Sequence, residues 1–174
     1  MAITQEKPKP EVLSEQLRQS SEEFLPQRRG IAALSLLAMS SLGLITLFQT
    51  GIMKHLPEVP LPGLHMDSEK VNSSSDAYGM FEVPDGIIGL GSYTATLGLA
   101  VMGGEDRSRK QPWIPLVLAA KLGFDTYQAI KLIQAQRQGK AFCFWCLLTA
   151  GATFASVSLA IPETFATIRH LFER

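Results

Sequence analysis

The sequence predicts an all-α membrane protein: a bundle of four transmembrane helices. Three observations carry that expectation. The chain has 174 residues, 46% of them apolar and only 18% charged, where an average soluble domain has about a quarter charged. Most of that charge lies in two tails and in connecting loops, which leaves long stretches free of it. Lys and Arg also gather beside particular ends of those stretches, as they do in cytoplasmic connections. The 16 Lys+Arg balance the 16 Asp+Glu to zero net charge, so no basic excess is available to neutralise phosphates, and a general nucleic-acid binder is excluded. Two cysteines are too few for a disulfide scaffold.

Residues 1–29 read as a polar cytoplasmic tail, with five basic and five acidic side chains and a short helical piece around Glu11 to Phe24. Gly30 to Met53 then gives 24 residues without an ionisable group. At about 1.5 Å per residue this run crosses a hydrocarbon core of about 30 Å. It is not a cleaved signal peptide, because a long polar segment precedes it and no clean small-residue cleavage pattern follows. The next connection, Lys54 to Glu82, has two basic against five acidic residues and suits the outer face. Its Leu56-Pro-Glu-Val-Pro-Leu-Pro-Gly stretch cannot be a span.

The second span is placed at 84–104, where Gly89, Gly91 and Gly98 with Ala95 and Ala100 offer small surfaces for helix packing. Arg107, Arg109 and Lys110 follow and, like Arg28 and Arg29, belong on the cytoplasmic side. The third span, 113–136, is broken by Lys121, Asp125 and Lys131. Lys121 and Asp125 lie one turn apart on one helical face, as an ion pair or as groups able to move protons. The short link carrying Arg137 and Lys140 is then outside, a mild exception to the charge rule; the fourth span, 141–161, returns the chain to the cytoplasm, and 163–174 reads as a short amphipathic tail.

Cys143 and Cys146 open the fourth span as Cys-Phe-Trp-Cys. Residues three apart on a helix share a face with Cα atoms about 5–6 Å apart, within the range of a disulfide. The helix start and Lys140 favour the thiolate of Cys143. Redox chemistry, half a zinc site and two small core residues are the readings open to such a pair. His55, His65 and His170 are not spaced as ligands, so no metal site is expected, and Leu147 stands where haem attachment needs a histidine.

The order of these features resembles the vitamin K epoxide reductase family. The likeness rests on an outer loop reading Val71-Asn72-Ser73-Ser74 and then Ala77-Tyr78-Gly79, on Ile-Gly-Leu-Gly-Ser-Tyr-Thr over 88–94, and on Cys143-Phe144-Trp145-Cys146-Leu-Leu-Thr-Ala. It covers Gly30 to Leu159 and marks 30–162 as the membrane domain. It implies an outer loop that caps the bundle, a quinone pocket beside the paired cysteines and electron transfer between the pair and quinone. In bacterial members this drives disulfide formation in exported proteins with a thioredoxin-like partner.

Carried over by position, Cys143 and Cys146 are the catalytic pair. Ser68 stands where the family has a relay cysteine, and none occurs from Met1 to Phe142. Asp85 stands where the family has a polar Asn, and Ala150 where some members have Tyr. Asp85, Tyr93, Phe144 and Trp145, together with Phe142, are candidate quinone contacts. A helix start at Asp85 and interfacial anchoring of the aromatics are the plainer readings. Ser73 and Ser74 match a serine pair beside the loop cysteine, or simply make a turn.

The reading is therefore a membrane thiol/disulfide oxidoreductase that couples a Cys-x-x-Cys pair to quinone. Its partners are a separate thioredoxin-like or thiol-bearing protein and the bilayer. Both termini are expected in the cytoplasm and the cysteines near the periplasmic or lumenal face. The alternatives are a catalytically degenerate family member serving as a binding or assembly subunit of a membrane complex, and a redox-responsive regulator.

Overall fold

The computed structural model describes residues 23–79, 82–104 and 107–173; nearly all of the helical piece expected over Glu11 to Phe24 lies outside them. Among the described residues there are six α-helices and one 3-10 turn, and the sole sheet-like pairing is an isolated bridge between Met66 and Phe142.

Helix α1 spans Leu25–Gln49. It begins before the expected Gly30 because Pro26 occupies the first turn, where a missing N–H costs no hydrogen bond. It ends through Thr50 and Gly51, the latter at φ +76°. The outer loop holds α2 (Ser68–Asn72) and a 3-10 turn, Ser75–Tyr78. Helix α3 (Asp85–Val101) is followed by the short α4 (Arg107–Lys110) and by α5 (Trp113–Gly139). Lys140 closes α5 in the left-handed region at φ 52°. Helix α6 (Phe144–Phe172) departs most from expectation. It continues through Pro162 and absorbs the segment read as a separate tail, because the buried Glu163 just beyond that proline ties it to the bundle.

The four long helices run alternately up and down, with α1 between α3 and α6 and with α5 against α6. Their contacts use small residues. A Cβ on Gly86 would lie 2.7 Å from Thr46 Oγ1 and 3.2 Å from Thr46 N, and one on Gly89 would meet Leu42, so α3 approaches α1 closely through these glycines. Gly91 and Gly98 take no part in such contacts: both face open space on the other sides of α3.

Two apolar clusters fill the interior. Ala38, Leu42, Ile45, Tyr93, Ala152 and the cysteines form one; Ile31, Ala100, Leu118, Leu122 and Ala160 form the other. Buried hydroxyls return to carbonyls one turn earlier, as Ser35 does to Ile31 at 2.8 Å and Ser156 to Ala152 at 2.8 Å. Such pairing satisfies a polar group without water. The outward faces carry large apolar side chains, among them Leu36, Phe124 and Phe165. Helices α1 and α6 are long and apolar enough to cross a membrane.

The expected pair within the third apolar stretch is formed. Lys121 Nζ bonds Asp125 Oδ2 and also donates to Ser92 Oγ at 2.7 Å, which joins α5 to α3. At the end of the bundle opposite the cysteines, Arg28 and Arg107 converge on Glu163.

Candidate redox site

The turn before α6 is stitched to the outer loop by backbone bonds. Asp67 N donates to Phe142 O at 2.9 Å, and Phe142 N to His65 O at 3.0 Å. That pairing lays α2 over the cysteines. Glu58 braces it, accepting from Ser68 N and Ser68 Oγ, each at 3.0 Å. Trp145 Nε1 donates to Pro57 O at 2.9 Å, and its ring meets Phe144 edge to face at 5.3 Å.

Cys143 occupies the N-cap of α6, and its Sγ accepts the Cys146 backbone N–H at 3.2 Å. Its own N–H donates to Gln136 Oε1 at 3.0 Å. Asn72 joins the two thiols: Nδ2 donates to Cys143 Sγ at 3.2 Å, while Cys146 Sγ reaches Oδ1 at 3.8 Å. The same Nδ2 donates to Ser68 O at 2.7 Å, so one helical turn holds the amide in place. Cys143, which precedes the helix, has its pKa lowered from 9.0 to about 7. The hydrogen bond from the Cys146 thiol is the largest cause; burial opposes it, and the Cys146 N–H, Asn72 and Ser68 add to it. These hydrogen bonds stabilise the thiolate, the form that attacks disulfides.

The side chains singled out in the sequence fall into distinct places. Ser68 is fully buried and meets the pair; its Oγ also accepts the Phe144 N–H at 3.3 Å. Ser73 is exposed, and Ser74 Oγ donates to Val71 O at 2.7 Å, which is turn chemistry. Asp85 is the first residue of α3 after an N-cap at Pro84, and its Oδ1 accepts from Gln49 Nε2 at 2.6 Å. Tyr93 lies in the cysteine cluster, where its hydroxyl donates to Thr149 O at 3.2 Å and contacts the Thr153 hydroxyl.

A cleft of about 150 Å³ opens beside Cys146, lined by Val71, Asn72, Asp85, Leu132 and Gln136 among others. Tyr93, Phe144 and Trp145 are not on its wall. Among the described residues no cluster of three His, Cys, Asp or Glu could hold a metal.

In the sequence Asn72 figures only as part of the outer-loop motif, and Gln136 not as a candidate at all. The signals available were the four-residue spacing of Ser68 and Asn72, which puts both on one face, and a polar amide seven residues ahead of Cys143. Replacing Asn72 by Leu is expected to raise the Cys143 pKa and leave about fivefold less thiolate at pH 7, the effect of one lost hydrogen bond to the anion. The pH profile of Cys143 alkylation, followed by mass spectrometry, checks it; an unmoved midpoint would remove Asn72 from the account.

The model of the vitamin K epoxide reductase family matches residues 30–161. No curated protein and no solved structure matches the chain.

Proposed function

Because the chain belongs to the vitamin K epoxide reductase family, we propose that it is a four-span membrane thiol/disulfide oxidoreductase passing electrons from a protein thiol to quinone. The observation that carries this reading is the placing of the two sulfurs between different surroundings. Cys143 is fully buried under Ser68 and Asn72 of the outer loop, whereas Cys146, which Asn72 also reaches, lines the cleft. One sulfur thus serves the partner side and the other the cleft side.

In the oxidised pair, a partner thiolate attacks Cys143 Sγ. The Cys143–Cys146 bond breaks and its electron pair leaves on Cys146. A second partner thiolate then attacks the partner sulfur of the mixed disulfide and expels Cys143. Its pKa of about 7 makes Cys143 a good leaving group. The partner departs as a disulfide, and the pair holds two electrons and, once protonated, two protons. Quinone, when bound, supplies an acceptor for those electrons and protons. The cleft fits such a group: Val71, Ala77, Leu132 and Ala135 suit a flat apolar ring, and Asp85 and Gln136 are polar points on the same wall. The chain has no third cysteine, so any relay between partner and pair comes from outside these residues.

In this reading α1, α3, α5 and α6 all cross the membrane. The Arg28–Glu163–Arg107 end faces the cytoplasm, and the outer loop with Cys143 faces the periplasm or a lumen. Arg28, Arg29, Arg107 and Arg109 then obey the positive-inside rule.

Thiol trapping of Cys143 and Cys146 in native membranes, before and after chemical reduction of the quinone pool, tests the proposal. The pair is expected to be oxidised at rest and reduced when quinone oxidation is blocked. A pair that ignores the state of the pool overturns the oxidoreductase reading. The serine at position 68, in place of the family's relay cysteine, then favours a binding or assembly subunit.

A further inference from the structure

Gln136 is 3% exposed and lies close to the end of α5. Its Oε1 accepts the Cys143 N–H. Only the oxygen of the amide can accept, so this bond fixes which way the group is turned. Nε2 is thereby directed elsewhere, and it is buried without a hydrogen-bond partner among the described residues. Buried donors are seldom left unmet. Gln136 also lines the cleft beside Cys146, the empty volume from which an acceptor can come. Among the described residues the other two buried polar side-chain atoms without partners, Gln27 Oε1 and Thr46 Oγ1, belong to residues that do not line that wall.

We infer that Gln136 donates from Nε2 to a carbonyl oxygen of the ring held in the cleft and so orients that ring toward Cys146. This rests on the quinone reading above. One side chain then does two things: its oxygen sets the backbone that carries Cys143, and its nitrogen holds the electron acceptor.

Gln136→Glu separates the two. It keeps an oxygen for the Cys143 N–H and replaces the donor with a second acceptor. Gln134→Glu, at an exposed position of the same helix, makes the same charge change away from the cleft. The purified full chain in detergent is assayed with two probes, menadione and ubiquinone-1, and a reducing dithiol. Gln136→Glu is expected to raise KM for the quinone about tenfold, the loss of one buried hydrogen bond, with kcat changing less than KM. The infrared carbonyl band of bound 13C-labelled menadione is expected to shift toward its free position. Gln134→Glu is expected to match the wild type in both. A KM within about twofold of wild type and an unmoved carbonyl band in Gln136→Glu overturn the assignment of Gln136 alone. A wild-type protein that neither binds nor reduces either probe overturns the quinone reading and this inference together.

Discussion

Glu163→Ala is expected to destabilise the folded bundle by about 3–5 kcal/mol, the cost of stranding buried charge by removing its partner. Glu163 is 3% exposed and carries two guanidinium groups. Arg28 Nη2 and Nε reach Oε1 at 2.7 and 3.1 Å; Arg107 Nε reaches Oε1 at 2.6 Å, and its Nη2 reaches Oε2 at 2.7 Å. Arg107 Nη1 also donates to the carbonyls of Leu99, Ala100 and Met102, at 2.8, 3.1 and 2.8 Å. These oxygens end α3 and have no donor within their own helix. The carboxylate therefore joins α1, α4 and α6, and Arg107 ties α3 to them.

Without that carboxylate, two positive charges would remain close together in a place from which water is largely excluded. Glu163→Gln keeps the shape and one acceptor oxygen but not the charge, and is expected to fall between wild type and Glu163→Ala. Arg107→Ala is expected to cost more than Arg28→Ala, because it also leaves the three carbonyls unmet. Chemical denaturation in detergent micelles, followed by circular dichroism, measures the series. A Glu163→Ala variant within about 0.5 kcal/mol of wild type would show that the cluster contributes little to holding the helices together.

How much of this was legible in the sequence follows from the range of the forces involved. The four long helices announce themselves through apolar runs, since each run must be buried or face lipid whatever its neighbours do. The Lys121–Asp125 pair is equally local: residues four apart on a helix are neighbours before any tertiary contact forms. The Cys143–Cys146 pair is visible for the same reason. Glu163 is different. Its position after Pro162 reads as the start of a short amphipathic tail, and only the return of Arg28 and Arg107 from distant points of the chain makes burial of that carboxylate tolerable. Helix α6 continues past the proline for a reason that lies 135 residues away in sequence at Arg28.

Asn72 and Gln136 were hidden in the same manner. In a loop rich in serine, Asn72 has the composition of a turn. What gives it another role is the docking of α2 on the residues before α6, through Asp67, Phe142 and His65. Ser68 shows the reverse. The likeness to the family marked the position, and the fold puts its hydroxyl beside Cys143, where a cysteine would have been within reach of the pair.

Cys146→Ser is expected to abolish turnover, with a loss of at least about a thousandfold, as for removal of a group on which the reaction depends. It is not expected to silence Cys143. The Cys143 sulfur keeps the Asn72 Nδ2–H and the backbone N–H of residue 146, and a serine hydroxyl can still donate where the Cys146 thiol did. With a pKa of about 7, the thiolate fraction rises as pH passes upward through neutrality and is near its limit about one unit higher. The rate at which Cys143 exchanges with a disulfide-bearing partner should follow that curve, low at pH 6 and level above about pH 8. In the exchange, Cys143 Sγ takes one partner sulfur and the other leaves as a thiolate; with no second thiol in the chain to release it, the mixed disulfide accumulates. Non-reducing electrophoresis and mass spectrometry of the linked peptide identify the sulfur involved. Cys143→Ser is expected to lose turnover equally but to give no such adduct, because Cys146 lines the cleft, the side this reading gives to quinone. An adduct on Cys146 in Cys143→Ser, with none on Cys143 in Cys146→Ser, would reverse the two sides. The partner would then enter through the cleft, and Ser68 and Asn72 would be shielding a sulfur that no protein touches.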